Sequence, residues 1–244
     1  ETARKLRIQP ETLHTEIESV QAEIKGLEEG FDVEKLQKEL AAARQAYETQ
    51  ADLLSTARKK AALALSKRVT ESMQTLSMQG GVFVVDVAKG EPSAKGSDNI
   101  EFRVAGHPGV TPQAIQKVAS GGELARISLA ITVNTVESTP VPTLIFDEVD
   151  SGIGGAVAET VGRYLRLLAS NKQVLCVTHL PQVAAQGHNH FQVSKDISAQ
   201  TTRSKIVQLE AKARVEEIAR MLGGQVITEA TRTAAHEMIA SANG

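Results

Sequence analysis

Apolar residues in the first third of the chain recur at alternating spacings of three and four, the pattern of a heptad repeat. Glu, Lys and Gln occupy most of the positions between them, so the apolar side chains form one narrow stripe. The stripe consists of Leu13, Ile17, Val20, Ile24, Leu27 and Phe31, and it resumes in a shifted frame with Val33, Leu36, Leu40, Ala43 and Tyr47. A narrow stripe on so long a helix predicts a partner helix, and we therefore expect residues 1–78 to form a coiled-coil arm.

The stripe changes frame at Gly30, and it becomes weaker and richer in alanine before it ends near Leu76. Glycine interrupts helices, so we expect an elbow near residues 30–32. The partner is either a second chain or an antiparallel helix that precedes Glu1 in a longer polypeptide. One arm of a compact helical bundle is the alternative, and the length of the stripe favours the coiled coil.

The pattern changes after Gly80 and Gly81 to that of an α/β lobe over residues 79–244. Alternating apolar positions predict strands at 82–90 and 99–107. Continuous apolar runs at 141–148 and 173–180 predict buried parallel strands. Three helices are expected in addition to one that starts near Ser120, and they cover about 155–169, 215–222 and 228–240. The fold class is therefore α/β, with a parallel-strand core and flanking helices.

The helix that starts near Ser120 carries two glycines in its first turn, Gly121 and Gly122. Each weakens a helix by about 1 kcal/mol relative to alanine, so their presence needs a reason. The free N–H groups of a helix start attract anions, and glycines allow a phosphate to approach the backbone. The structural alternative is a capping box, with Ser120 as N-cap and Glu123 three residues later.

Polar residues end both predicted parallel strands. Asp147 and Glu148 end the first, and His179 stands at the end of the second. Beside a nucleotide, the first acid can hold Mg²⁺ through water, and the second can activate an attacking water. Taken singly, an acidic pair more often caps a turn and a lone histidine is more often structural. Ligands of open parallel sheets bind at the carboxyl ends of the strands, which favours reading the three residues together.

Composition narrows the functional classes. The chain has 244 residues, a net charge of −2 and one cysteine, Cys176, which excludes an internal disulfide and a cysteine-based metal cage. A small buried core residue is the expected role of Cys176. No run approaches the about 18 apolar residues of a membrane span, so we expect no membrane partner. The near-neutral charge gives no general indication of nucleic-acid binding.

Three strings occur in the order typical of ABC-type ATPases: "KVASGGELARISLAI", "TLIFDEVDSGIGG" and "VLCVTHLPQVAA". Ser120 and Asp147 are 27 residues apart, and Glu148 and His179 are 31 apart. With the tail "EEIARMLGG", the strings closely resemble the RecN family of bacterial DNA-repair ATPases, relatives of the SMC proteins. The resemblance covers nearly the whole chain, and the extended strings are more specific than the short motifs within them.

The resemblance implies a role for each residue of the strings. Ser120, Gly121, Gly122 and Glu123 match the ABC signature, which contacts the γ-phosphate of ATP bound to the opposite head of a dimer. Asp147 matches the aspartate that holds Mg²⁺ through water, and Glu148 the catalytic base. The D-loop, which crosses the dimer interface, is matched by Asp150, Ser151 and Gly152. His179 matches the switch histidine that senses the γ-phosphate.

A phosphate-binding Walker A loop is missing from the sequence, because no glycine is followed by lysine. In SMC-like proteins that loop precedes the ascending coil. We therefore expect this chain to be the C-terminal half, composed of the descending arm and the C-terminal lobe of the head. On this reading the N-terminal half supplies both the Walker A lobe and the antiparallel partner of the arm, and the chain alone is inactive.

The function implied by the resemblance is ATP-driven head dimerisation and hydrolysis, coupled to DNA binding and bridging in double-strand-break repair. It also implies a bacterial, cytoplasmic, nucleoid-associated protein, which a single cysteine suits. The basic segments 57–60 and 66–68 are candidates for DNA contact. Two alternatives remain: another SMC-like ATPase, such as a chromosome-organising SMC or a zinc-hook nuclease partner, and a non-hydrolysing coiled-coil adaptor. The short arm and the absence of C-x-x-C argue against the former, and the intact Asp147, Glu148 and His179 against the latter.

Overall fold

The computed structural model describes Ala3, Lys5 and residues 9–30, 32–118, 120–138, 140–197, 202–223 and 226–243. Seven α-helices and seven strands are found in these residues, with three short 3-10 helices at Pro10–Thr12, Ile115–Lys117 and Val136–Ser138. Along the chain they are α1 (Leu13–Gly30), α2 (Val33–Thr75), β1 (Val82–Ser93), β2 (Gly96–Ala105), β3 (Gln113–Ala114), α3 (Gly121–Thr135), β4 (Thr143–Phe146), α4 (Gly155–Leu168), β5 (Gln173–Cys176), α5 (Pro181–Ala185), β6 (Phe191–Ile197), β7 (Thr202–Gln208), α6 (Ala211–Gly223) and α7 (Glu229–Asn243).

The chain divides into two compact units. The first contains residues 1–57 and 91–97, and the second contains residues 58–90 and 98–244. The α/β fold class expected from the sequence is confirmed, because helices surround both parallel and antiparallel strand pairs. The division of the chain into an arm of residues 1–78 and a lobe of residues 79–244 stays a prediction.

The first unit contains the helices with the apolar stripe. Helix α1 ends at Gly30 and α2 begins at Val33. Asp32 is the N-cap of α2, because its Oδ1 accepts the backbone N–H of Lys35 at 2.9 Å. The apolar stripe remains uncovered, with exposed fractions of 46% for Ile17, 55% for Leu27 and 62% for Leu40. A row of half-exposed apolar side chains on a helix is typical of a coiled-coil seam without its partner.

The second unit is built around the last three turns of α2. Val69, Met73 and Leu76 follow one another at spacings of four and three, and all three are fully buried. They pack with residues of the strands and helices that follow, in a cluster that includes Phe83, Val104, Ile127, Leu129, Phe146, Val149, Val161, Leu165, Leu168 and Val183. The end of the long helix is therefore a core element of the α/β unit.

Strands β4 and β5 form a two-stranded parallel sheet, in the register Thr143–Gln173, Leu144–Val174, Ile145–Leu175 and Phe146–Cys176. Its two faces differ. Leu144, Phe146, Val174 and Cys176 face the core cluster. On the opposite face Ile145 is 73% exposed, and Leu175 and Val177 are also exposed. The runs at 141–148 and 173–180 were expected to be buried strands, and in the described residues only one face is covered.

Both parallel strands are shorter than the sequence predicts. Strand β4 ends before Asp147, because Glu148 has a φ of 58°, which no strand accommodates. Strand β5 ends before Val177, and the Thr178 hydroxyl then accepts the backbone N–H of Leu180 at 3.0 Å and turns the chain. The functional candidates therefore lie in loops just beyond the strands.

A second, smaller core joins α5, α6 and α7. It contains Ala184, Ala185, Val215, Ile218, Ala219 and Ala235. The guanidinium of Arg214 fastens α6 to the end of α5, since it donates to the carbonyl oxygens of Ala185 at 2.8 Å and Gly187 at 2.6 Å. The antiparallel β6–β7 hairpin beside this core was not predicted from the sequence. Among the described residues, no helix has the length and apolar character needed to cross a membrane.

We predict that His190 makes stability depend on pH. Burial, and next the charge of Arg214, lower the pKa of His190 below its ordinary 6.5, although Glu217 acts in the opposite direction. Below about pH 6.5 the unfolded chain therefore binds more protons, and the free energy of unfolding falls as pH falls. Urea denaturation between about pH 7 and about pH 5.5 should show a smaller decrease for His190→Gln than for the unmodified chain.

His188→Gln is the matched control, because His188 is exposed two positions away. It should keep the pH dependence of the unmodified chain. An equal pH dependence for His190→Gln and the unmodified chain would contradict the prediction.

Candidate functional site

Helix α3 begins as the sequence predicts. Ser120 is its N-cap, and the Ser120 hydroxyl accepts the backbone N–H of Glu123 at 3.4 Å. The Glu123 carboxylate lies 3.9 Å from Nε2 of His107, which stands in the loop that follows β2. The N-cap bond of the expected capping box is thus present. It does not explain why two glycines follow Ser120.

The glycines make room for the loop after β4. A Cβ on Gly121 would lie 2.8 Å from Oε2 of Glu148, and one on Gly122 would lie 3.0 Å from the Cβ of Ser151 and 3.1 Å from its carbonyl oxygen. At Gly122 a side chain requires the backbone of Ser151 to shift, whereas at Gly121 only the exposed end of the Glu148 side chain has to move. Packing within this chain therefore favours glycine at position 122, whereas Gly121 is not explained by packing alone.

The loop after β4 presents two exposed carboxylates. Oδ1 of Asp147 accepts the backbone N–H of Glu148 at 2.9 Å, and the carbonyl of Glu148 accepts the N–H of Ser151 at 3.0 Å, which closes a turn. Glu148 has a φ of 58°, in the left-handed region that costs a non-glycine residue about 1–2 kcal/mol. The turn at Ser151 is followed by Gly152, whose φ of 71° suits glycine.

Arg126 ties α3 to this loop, a role that the sequence reasoning missed. Its guanidinium is buried and donates through Nη1 to the carbonyl oxygen of Ser151 at 2.7 Å. Burial lowers the pKa of Arg126, and the charge of Glu123 partly offsets this effect. The signal available in the sequence was an arginine on a helix that is otherwise apolar at Leu124, Ile127 and Leu129.

Asp150 connects the loop after β4 to the loop after β5. It is 3% exposed, and its Oδ2 accepts the Thr178 hydroxyl at 2.5 Å and the backbone N–H of His179 at 3.1 Å. Nδ1 of His179 lies 3.3 Å from the same oxygen, while the His179 side chain is 70% exposed. The sequence places Thr178 beside His179 at the end of a predicted strand, but the bond of its hydroxyl to Asp150 depends on the fold.

Cys176 lies at the end of β5, beneath this network. Burial, followed by the charges of Asp150 and Asp147, raises the pKa of the Cys176 thiol to about 12. The thiol is therefore protonated at neutral pH and unsuited to nucleophilic or metal-binding chemistry. This agrees with the expectation that Cys176 is a small residue packed against the core.

The three sequence motifs thus form one continuous surface. Gly121 and Gly122 contact the loop of Glu148 and Ser151, and that loop contacts His179 through Asp150. Asp147 remains exposed, and it lines a cavity of about 230 Å³ with Ala125, Ser128 and Thr132 of α3 and with Leu144, Ile145 and Phe146 of β4. Among the described residues no group of three or more His, Cys, Asp or Glu could hold a metal ion alone.

Asp147 and the start of α3 are residues that could hold a Mg²⁺-nucleotide. Mg²⁺ is commonly held by one or two carboxylates, several waters and the phosphates of the nucleotide. Asp147 supplies such a carboxylate, and the first N–H groups of α3 at Gly121 and Gly122 offer donors to an anion.

Close relatives of the chain are bacterial DNA-repair proteins. DNA repair protein RecN of Xylella fastidiosa is 42% identical over 241 residues, which are 97% of this chain. The corresponding protein of Haemophilus influenzae is also 42% identical over 241 residues, and that of Vibrio cholerae is 41% identical over 243. Over nearly its whole length, the chain is thus similar to RecN proteins. It spans less than half of these relatives, 43% of the first two and 44% of the third. A scan of protein-family models found no match.

Among solved structures, the chain has the fold of an SMC head. A crystal structure of the Smc head domain of Pyrococcus furiosus, with an extended coiled coil and bound to the C-terminal domain of ScpA, matches with a TM-score of 0.52 at 20% identity. The match covers 86% of this chain and 50% of that chain. The resemblance to the RecN family and the ABC/SMC-type α/β fold class with its coiled-coil helix, both expected from the sequence, are confirmed.

We predict that the backbone strain at Glu148 can be relieved at the expense of the carboxylate. Glycine adopts a φ of 58° without steric penalty, so Glu148→Gly should raise the free energy of unfolding by about 1 kcal/mol relative to Glu148→Ala. Urea denaturation of the two variants measures the difference, and the comparison with alanine cancels the loss of the side chain.

Ser77 is the control position, because its φ is 65° and it stands outside the three motifs. Ser77→Gly should gain a similar amount over Ser77→Ala. A gain at Ser77 without one at Glu148 would show that the turn at Glu148 is not strained.

Proposed function

We propose that the complete protein is an ATPase of DNA double-strand-break repair and that this chain is its C-terminal half. ATP would draw two heads together, and hydrolysis would release them and move the coiled-coil arms. One observation carries this proposal. The start of α3 at Gly121 and Gly122 contacts the loop after β4, and Asp150 of that loop contacts His179. An adaptor without catalysis has no need of exposed, closely grouped Asp147, Glu148 and His179.

The uncovered apolar surfaces support an N-terminal half as the missing partner. Ile145, Leu175 and Val177 form an exposed apolar face on a parallel sheet that has two strands in the described part of the chain. Parallel sheets are normally covered on both faces, so further strands or helices are expected there. The half-exposed stripe on α1 and α2 independently calls for a partner helix. Since relatives are more than twice as long, one missing segment can satisfy both surfaces.

Each residue of the site has a proposed role. Bound Mg²⁺-ATP supplies the phosphate bond to be broken and a charge that needs neutralisation. Asp147 would hold Mg²⁺ through water, and Glu148 would accept a proton from the attacking water. His179 would sense the terminal phosphate through its exposed ring, and Ser120 with the N–H groups of Gly121 and Gly122 would contact the nucleotide of a second head.

We predict that ATP turnover requires both halves. The chain alone should be inactive, because it carries no Walker A loop, and turnover should appear when it is co-expressed with a Walker-A-bearing N-terminal half and supplied with Mg²⁺ and DNA. Glu148→Gln should lower kcat by about 100-fold or more, since glutamine cannot accept the proton. Steady-state phosphate release measures both effects.

Glu159→Gln is the matched control, an exposed glutamate on α4 outside the three motifs, and it should leave kcat unchanged. Turnover by the chain alone would reveal a phosphate loop that the sequence does not show. If no mixture releases phosphate, even with DNA present, the result would favour the coiled-coil adaptor.

DNA contact is proposed for the basic part of α2. Arg58 of the segment 57–60 is paired with Asp98 at 2.9 Å, which leaves Lys59 and Lys60 as its exposed charges. Lys67 is also exposed, and it follows Lys60 by seven residues, so the two lysines lie on the same face of the helix. A duplex backbone contacted along this face would bind by charge neutralisation and without base recognition.

We predict that Lys60→Gln with Lys67→Gln reduces the slope of log Kd against log salt by about two, one for each lost phosphate contact. Fluorescence anisotropy with a short duplex and the assembled protein gives the slope. Lys35→Gln with Lys38→Gln removes the same charge from exposed positions of the same helix and should not change it. If the two double variants have equal slopes, the DNA does not contact Lys60 and Lys67.

A further inference from the structure

We propose that Asp150 is a positioning residue for His179 within the same chain. The resemblance implies a D-loop role at the dimer interface for Asp150, but a carboxylate that is 3% exposed is poorly placed to reach a second head. Its contacts point to a different task, which is to orient the imidazole that follows β5. The orientation itself is independent of the proposed ATPase function, and its catalytic consequence rests on that function.

One short segment makes two hydrogen bonds and one close ring contact to a single oxygen of Asp150. Oδ2 accepts the Thr178 hydroxyl at 2.5 Å and the His179 backbone N–H at 3.1 Å, and His179 Nδ1 lies 3.3 Å away. The two hydrogen bonds hold the backbone that carries the ring, and the contact at Nδ1 involves the ring itself. A buried carboxylate is tolerated where such donors surround it, so the network is a coherent unit.

The Thr178 hydroxyl adds a constraint on the chain direction. It donates to Asp150 and accepts the backbone N–H of Leu180 at 3.0 Å. The His179 backbone is therefore held on both sides, by the carboxylate before it and by the turn after it. Apart from its Nδ1, the His179 side chain points away from the network, and it is 70% exposed.

The third contact selects a tautomer. A neutral imidazole donates from one ring nitrogen and accepts at the other. With Asp150 facing Nδ1, the proton belongs on Nδ1, and Nε2 is left at the exposed side of the ring. The same logic operates where a buried aspartate orients a catalytic histidine in hydrolases. Asp150 thereby decides which atom of His179 a bound nucleotide meets.

Nuclear magnetic resonance of the 244-residue chain with ¹⁵N-labelled imidazoles tests this directly. The six histidines give separable ring patterns, and His179→Gln identifies the signal of His179. In the unmodified chain near pH 8 we expect His179 to carry its proton mainly on Nδ1. Asp150→Asn should shift the pattern towards the mixture of tautomers of an unconstrained histidine.

Thr178→Val separates positioning from a general effect on the loop. It removes one donor to Asp150, but the His179 backbone N–H still binds Asp150 and keeps Nδ1 beside it, so the His179 tautomer should persist. Glu123→Gln is the control for nonspecific electrostatic change, because Glu123 faces His107 and should alter that signal alone. A proton on Nε2 in the unmodified chain, an unchanged signal in Asp150→Asn, or equal loss of the tautomer in Thr178→Val and Asp150→Asn would overturn the proposal.

Kinetics of the assembled head supply the catalytic test. Asp150→Asn should lower kcat by roughly 10-fold or more and leave the KM for ATP unchanged, and it should add nothing to His179→Gln, since both remove the same oriented group. Additive losses would overturn the positioning role. If the unmodified head does not hydrolyse ATP, the proposed function fails while the tautomer experiment still decides the role of Asp150.

Discussion

The parallel pairing of β4 with β5 is the interaction on which the site depends. Four residue pairs align the strands, and the N–H of Val177 bonds to the carbonyl of Phe146 at 3.0 Å just beyond them. Residues 30 positions apart are thereby brought to one edge, where the two functional loops begin. Without this register, the Asp150 carboxylate could not meet the loop of His179, and the signature turn would have no loop to pack against.

Packing and chemistry make competing demands on the same few residues. Gly121 and Gly122 weaken the start of α3, yet the loop of Glu148 and Ser151 occupies the space that side chains would need. Glu148 holds its carboxylate at a strained φ, and buried Arg126 secures the neighbouring Ser151 carbonyl. Features that are unfavourable one by one become a coherent unit, because each fixes the backbone of the next. Such local conflict is typical of functional sites in otherwise stable folds.

Apolar periodicity was enough to predict the elements whose pattern is strong. The spacing of the motifs was enough to predict the exposed acids and the histidine as site residues. The β6–β7 hairpin was missed because lysine and serine interrupt the alternation of Phe191, Val193 and Ile206, and because these apolar residues face outward. The contacts made by Arg126 and Thr178 were missed for another reason. Their roles depend on contacts across 25 and 28 residues, which only the paired strands and the packed helix create.

The single cysteine has a practical consequence for site-directed labelling of the arm. A thiol with a pKa of about 12 presents almost no thiolate at neutral pH, so Cys176 reacts slowly with maleimides and methanethiosulfonates. The chain therefore behaves as a nearly cysteine-free background without any substitution at the end of β5. Cysteines introduced on the exposed seam of α1 and α2 could carry spin labels or fluorophores selectively. Distances across the arm can then be followed in a protein whose loops after β4 and β5 are untouched.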